Sequence, residues 1–173
     1  MTGTPGDPDP PPSPPALPLG TFRIDREGTW RHEGQEVTHP GVLANLWANL
    51  RVDRRIDGDT HYLQVGPLRI PVEVVAAPFV VTRIEVQRGR DGMLQGLWGQ
   101  LSDSTSEALR PESFWLDDRD TPFCRVKDER FGARLSVAAW LQLAPWLEPG
   151  ASPTDVVLVI GGRRIPLPRR PRE

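Results

Sequence analysis

Apolar and polar positions along this chain first alternate at period two, then switch to helical spacing, then return to period two, and the chain passes through that series twice. Phe22 and Ile24 alternate with polar neighbours, Arg26-Glu27-Gly28 supplies a turn, and Thr29 to His32 reads as a returning strand. Glu33-Gly34 turns again, and Gln35 to Val37 reads as a third short strand. Thr38 stands at an N-cap position, with Pro40 in the first helical turn, where its missing N–H leaves no intrahelical bond unmade. Val42, Leu43, Leu46, Trp47 and Leu50 then form an apolar stripe over residues 39–51. Burying each such leucine is worth about 1.5–3 kcal/mol, and so short a helix needs a cover.

The cover follows in sequence. Tyr62 to Val65 and Leu68 to Val74 predict a hairpin, with Gly66 able to supply the positive φ of a type II′ turn. Pro71 lacks a ladder donor, which predicts an edge position or a bulge for its strand. Phe79 to Val86 and Met93 to Leu101 form a second predicted hairpin.

The series then returns. Phe123 to Val126 and Phe131 to Leu135 read as strands, and Ser136 stands as an N-cap before a stripe of Trp140, Leu143 and Leu147. Pro145 should end that helix early. Val156 to Ile160, Gly161-Gly162 and Arg163 to Leu167 make the matching hairpin, with a type I′ turn. Val156 to Ile160 is apolar on both faces, which predicts a central strand. The clearest copy is Leu63-Gln64-Val65-Gly66-Pro67-Leu68-Arg69-Ile70-Pro71-Val72, which returns as Val157-Leu158-Val159-Ile160-Gly161-Gly162-Arg163-Arg164-Ile165-Pro166-Leu167.

The expected fold is therefore α+β, with two tandem related halves, each of short antiparallel strands, one helix and a β-hairpin. Residues 1–19 read as a disordered Pro-rich tail, 20–101 as the N-terminal half, 102–121 as a connector, 122–168 as the C-terminal half and 169–173 as a basic tail.

A formal charge of −2 argues against a generic nucleic-acid binder or a membrane-surface protein. Lys127 is the single lysine, so arginine carries nearly all the positive charge. The one cysteine, Cys124, excludes an internal disulfide framework and reads as a buried core residue. No apolar run suggests a signal peptide or a membrane span, which makes a cytoplasmic setting the expectation.

Catalytic signatures are absent: no Gly-x-Ser-x-Gly elbow, no His-Glu-x-x-His and no phosphate loop. His32, His39 and His61 lack metal-ligand spacing, and Asp117-Asp118-Arg119-Asp120 lacks the Gly and Glu of a calcium loop, so it reads as a solvated turn with no metal or cofactor. Trp47 and Trp140 belong to the helical stripes; one or two of Trp30, Trp98, Trp115 and Trp146 could line a pocket between the halves.

The segment Phe22-Arg23-Ile24-Asp25-Arg26-Glu27-Gly28-Thr29-Trp30-Arg31-His32-Glu33-Gly34, followed by Pro40 and its apolar helix, resembles the opening of the bacterial domain-of-unknown-function 1285 family. Ala77-Pro78-Phe79-Val80-Val81 resembles a further segment of that family, as do Pro122-Phe123-Cys124-Arg125-Val126 and Ala133-Arg134-Leu135 in the same order. The resemblance spans about residues 20–167 and implies an α+β fold with repeated motifs, an uncharacterised role and a suggested part in signalling or ligand sensing. Where the family carries Thr-Pro-x-Glu this chain has Gly66-Pro67-Leu68-Arg69, and the family's Thr-Asn appears as Ser102-Asp103.

Together these readings favour a ligand-binding or regulatory module acting on a small molecule or protein through a cleft between its halves. Trp30, His32 and Arg134 are the candidates to line it, as aromatic platform, switchable donor and anion partner. The alternative is an enzyme of undetermined class in the same cleft, with Asp103, His32 or Cys124 moving a proton or acting as nucleophile.

Overall fold

Three short antiparallel strands open the folded chain: β1 (Phe22–Ile24), β2 (Trp30–His32) and β3 (Gln35–Glu36). The structure is a computed structural model that describes residues 20–56 and 58–171; the Pro-rich segment 1–19 and the last two residues of the basic tail lie outside the described residues. Helix α1 (Pro40–Asn49) follows, then β4 (Leu50–Asp53), β5 (Thr60–Val65) and β6 (Leu68–Val74). The six strands form one sheet in the order β3-β2-β1-β6-β5-β4, joined in its middle by the parallel pair β1 and β6.

The second half rebuilds that order. Its strands are β10 (Trp115–Leu116), β11 (Pro122–Val126) and β12 (Phe131–Leu135), then helix α2 (Val137–Leu143), then β13 (Leu147–Pro149), β14 (Val156–Ile160) and β15 (Arg163–Leu167). β10, β11 and β12 lie side by side, as do β13, β14 and β15. A parallel bridge from Leu116 to Arg169, just past β15, joins the two sets where β1 meets β6 in the first half. The segment 102–121, expected as a connector, thus contributes β10 to this arrangement. Between the halves stands the long hairpin of β7 (Phe79–Arg88) and β8 (Leu94–Leu101), flanked by β9 (Ser106–Ala108); β7 pairs in parallel with β12.

Both helices lean on that hairpin. Trp47 of α1 stacks on Phe79 at 4.7 Å between ring centroids. Gln142 of α2 accepts the Ile84 N–H at 2.7 Å, next to the irregularity in the β7–β8 ladder, where a neighbouring strand leaves that donor unpaired. One continuous apolar core runs from Ile24 and Trp30 through Phe79, Val81 and Phe131 to Leu143 and Leu158.

Several local expectations meet the structure differently. The N-cap of α1 is His39, with no side-chain capping bond, because the chain enters the helix one residue later than the Thr38 reading. Ser136 does cap α2, its Oγ accepting the Ala139 N–H at 3.1 Å, and α2 gives way at Ala144 to a 3-10 turn holding Pro145. The strand with Pro71 is interior to its sheet, not at a rim. Pro71 faces Tyr62 at a pair that exchanges no ladder bonds in a two-residue hairpin, so its nitrogen points away from β5. On that other side β1 begins pairing only at Val72. Pro166 holds the same place opposite Val157, and the tight turns before the two prolines carry positive φ at Gly66 (55°), Gly161 (56°) and Gly162 (73°). β14 lies centrally, between β13 and β15, as its two-sided apolar pattern predicts.

Candidate functional site

A cavity of about 400 Å³ opens between the halves. The first half contributes Asp59 and His61 from the start of β5 and its preceding loop, and Val72 and Val74 from β6. The second half contributes Trp115 of β10, Phe123 and Arg125 of β11, Gly132 of β12 and Arg170 beyond β15. Alternation along β6 turns Val72 and Val74 to the same face, and alternation along β11 does the same for Phe123 and Arg125. Gly132 leaves room in the wall: a Cβ built on it would meet only Trp115 Cη2, at 3.8 Å.

Charge crosses this seam. Arg125 donates to Asp59 at 3.1 Å, and both side chains are mostly buried, which strengthens the pair relative to one in bulk water. His61 lies within reach of both charges, 8 % exposed, its ring stacked on Phe131. Its Nε2 is buried without a hydrogen-bond partner. Burial holds the His61 pKa below the ordinary histidine value, Asp59 opposes that shift and Arg125 adds to it, so the imidazole is neutral at pH 7.

Trp115 is held by aromatic and cationic neighbours. Phe123 stacks on it at 5.5 Å, and the guanidinium groups of Arg125 and Arg170 lie 5.4 Å and 4.9 Å from its ring centroid. The Arg170 backbone N–H donates to Leu116 O at 2.9 Å, and Arg169 binds Asp120 and Thr154 O. This stretch was expected as a basic tail; as far as it is described, its side chains are exposed while its backbone pairs with β10. Asp117 was expected in a solvated turn and is instead 1 % exposed, with its Oδ1 accepting the N–H groups of Arg119 and Thr121.

None of Trp30, His32 and Arg134 lines this cavity. Trp30 is 1 % exposed, edge-on to Phe22 and Trp47 in the core. His32 stacks on Phe22 at 4.5 Å. Arg134 reaches across the halves, its Nε donating to Arg26 O at 2.9 Å. Among the residues of the enzymatic alternative, Asp103 is tied to Lys127 at 2.7 Å and to Thr105, which together hold its carboxyl below the usual range against the opposing pull of burial. Cys124 is fully buried, and burial pushes its thiol well above the ordinary value, which disfavours the thiolate a nucleophile needs.

Sequence reasoning singled out Trp115 as one of four tryptophans open to a pocket role, and it is the one that lines the cavity. Asp59 and Arg125 carry no site reading in the sequence, His61 is weighed there only for metal-ligand spacing, and Arg170 counts only as part of the basic tail. These residues form no motif; long-range register alone brings them together. Among the described residues no group of three or more His, Cys, Asp or Glu side chains could hold a metal ion, and no helix is long and apolar enough to cross a membrane.

No family model matches this chain, and no curated protein matches it. Solved structures do. The chain is similar to a DUF1285 family protein from Silicibacter pomeroyi, with a TM-score of 0.67 and 22 % identity over 84 % of this chain and 78 % of that one. It is also similar to a DUF1285 family protein from Shewanella baltica, with a TM-score of 0.56 and 17 % identity over 73 % of this chain and 92 % of that one. At these identities the likeness is one of fold, and the α+β architecture with repeated halves implied by the sequence resemblance is the one found.

Proposed function

We propose that this chain is a binding module whose small-molecule ligand occupies the cavity between its two halves, in a regulatory or sensing role. The observation that carries the reading is the buried, unpartnered His61 Nε2 beside the Asp59–Arg125 pair in the walls of that cavity. A polar group buried without a partner costs about 1–3 kcal/mol, a cost that a bound molecule can offset. A cavity of this size, with an apolar side and a few convergent polar groups, suits a small ligand. The reading extends to a cytoplasmic setting, since the single thiol is buried and no disulfide is called for.

The test is a thermal-shift screen of metabolites against the wild-type chain and the Gly132→Leu variant. Gly132 lies in a strand without positive φ, so leucine fits the backbone and fills the cavity. A ligand of the cavity raises the wild-type melting temperature by mass action and leaves the variant unmoved. Hits that stabilise both equally, or no hits from a broad library, would count against the reading. Chemical conversion of a hit, blocked by His61→Gln, would instead favour the enzymatic alternative.

A further inference from the structure

The charges in the cavity wall are not equally committed. Asp59 is taken up by Arg125. Asp117 turns its Oδ1 to two backbone N–H groups of its own turn. Arg55 and Arg170 stand at the exposed side of the cavity, and neither forms an ion pair with a carboxylate among the described residues. Arg170 is nonetheless oriented: its backbone is bonded to β10 and its guanidinium lies over Trp115. Stacking on an aromatic face leaves the in-plane N–H donors of a guanidinium available, in the fork that matches a carboxylate or phosphate. Behind these two arginines the wall changes to Val72, Val74 and Pro78. The cavity is therefore cationic at its mouth and apolar along one inner side.

We infer that the ligand of this cavity is an anion, a molecule bearing a carboxylate or phosphate group that meets Arg170 and Arg55, with a compact apolar body against Val72 and Val74. The inference rests on the cavity reading above and adds its charge and polarity. The neutral His61 imidazole lies deeper, where it supplies one further polar contact to the body of the ligand or to its anionic group.

The probes are benzoate, its neutral isostere benzamide, and inorganic phosphate, each titrated into the full-length, nitrogen-15-labelled chain. The readout is the indole N–H resonance of Trp115, assigned with Trp115→Phe. Saturable shifts with benzoate or phosphate, weakened by added salt and about tenfold by Arg170→Ala or Arg55→Ala, are the expected result. Benzamide should bind about tenfold more weakly than benzoate. Preference for benzoate over phosphate identifies the carboxylate as the anchoring group, and the reverse identifies phosphate. Benzamide binding as tightly as benzoate, or benzoate binding unchanged in both arginine variants, overturns the anion assignment and leaves the cavity reading standing. If none of the probes moves Trp115 while an uncharged metabolite binds the wild type and not Gly132→Leu, the anion assignment alone falls; if nothing binds in either experiment, both fall.

Discussion

Asp25 and Asp117 close the same turn in the two halves. In each, the carboxylate Oδ1 accepts backbone N–H groups two and four residues downstream: Glu27 and Thr29 for Asp25, Arg119 and Thr121 for Asp117. In each, the aspartate N–H donates to the threonine carbonyl at 3.0 Å. Gly28 and Asp120 take the positive φ that such a turn requires. These turns set β2 back on β1 and β11 back on β10, so they aim Trp30 into the core of one half and Phe123 into the cavity of the other.

Removing either carboxylate strips two N–H groups of their acceptor. Asp117→Ala should cost about 1–3 kcal/mol in urea unfolding, and more than Asp25→Ala, because Asp117 is the more deeply buried. Asparagine keeps an acceptor oxygen and should recover much of the loss at both sites. Equal and negligible effects of the two alanine variants would show that the turns are held by other means.

The helix caps separate two residues that look alike in sequence. Ser136→Ala should cost about 1 kcal/mol, since it removes the bond to the Ala139 N–H and the Oγ contact to Thr82 O. Thr38→Ala should be nearly neutral, since the α1 cap is His39 without a side-chain bond. Denaturant midpoints of the two variants decide this, and a larger loss at Thr38 would contradict the assigned helix start.

Local chemistry made most of the elements legible in advance. The Gly-Gly turn, the Ser136 cap, the Pro145 stop and the two-sided apolar run of β14 each follow from a few adjacent residues. What stayed hidden depends on distant pairing. Strand β4 begins directly at the end of α1, and β13 directly at the end of the 3-10 turn that follows α2, with Leu50 and Leu147 still in helical register with the stripes before them. Asp117 sits in a run of charges that reads as solvated, and only the approach of the chain beyond β15 to β10 covers it. His61 reads only as a histidine without metal-ligand spacing until β11 brings Arg125 to Asp59. The candidate site is a product of the fold, and no short motif announces it.

Protonation supplies a further check. The native pKa of His61 lies below the ordinary value of 6.5 that it regains on unfolding. Below pH 6.5 the unfolded chain therefore binds a proton that the native state does not, so stability falls with pH until the native value is reached, by at most about 1.4 kcal/mol per pH unit. Above pH 6.5 this group contributes no pH dependence. Urea unfolding at pH 7.5 and 5.5 should show a smaller drop for His61→Gln than for the wild type, and equal drops would contradict the burial argument.

The middle hairpin makes the halves interdependent. A fragment of residues 20–101 leaves β7 without its parallel partner β12 and without α2, exposing Phe79, Val81 and Ile84. It should self-associate in light scattering and unfold without a sharp transition. A monomeric fragment with a cooperative urea melt would contradict a shared core.

The most direct measurement is a crystal structure of the chain soaked with the tightest-binding molecule from the screen. Electron density is expected between Val74 and Trp115, with an anionic oxygen on the Arg170 guanidinium and the His61 side of the cavity filled. Density for that molecule elsewhere on the surface, with solvent alone between the halves, would contradict that expectation.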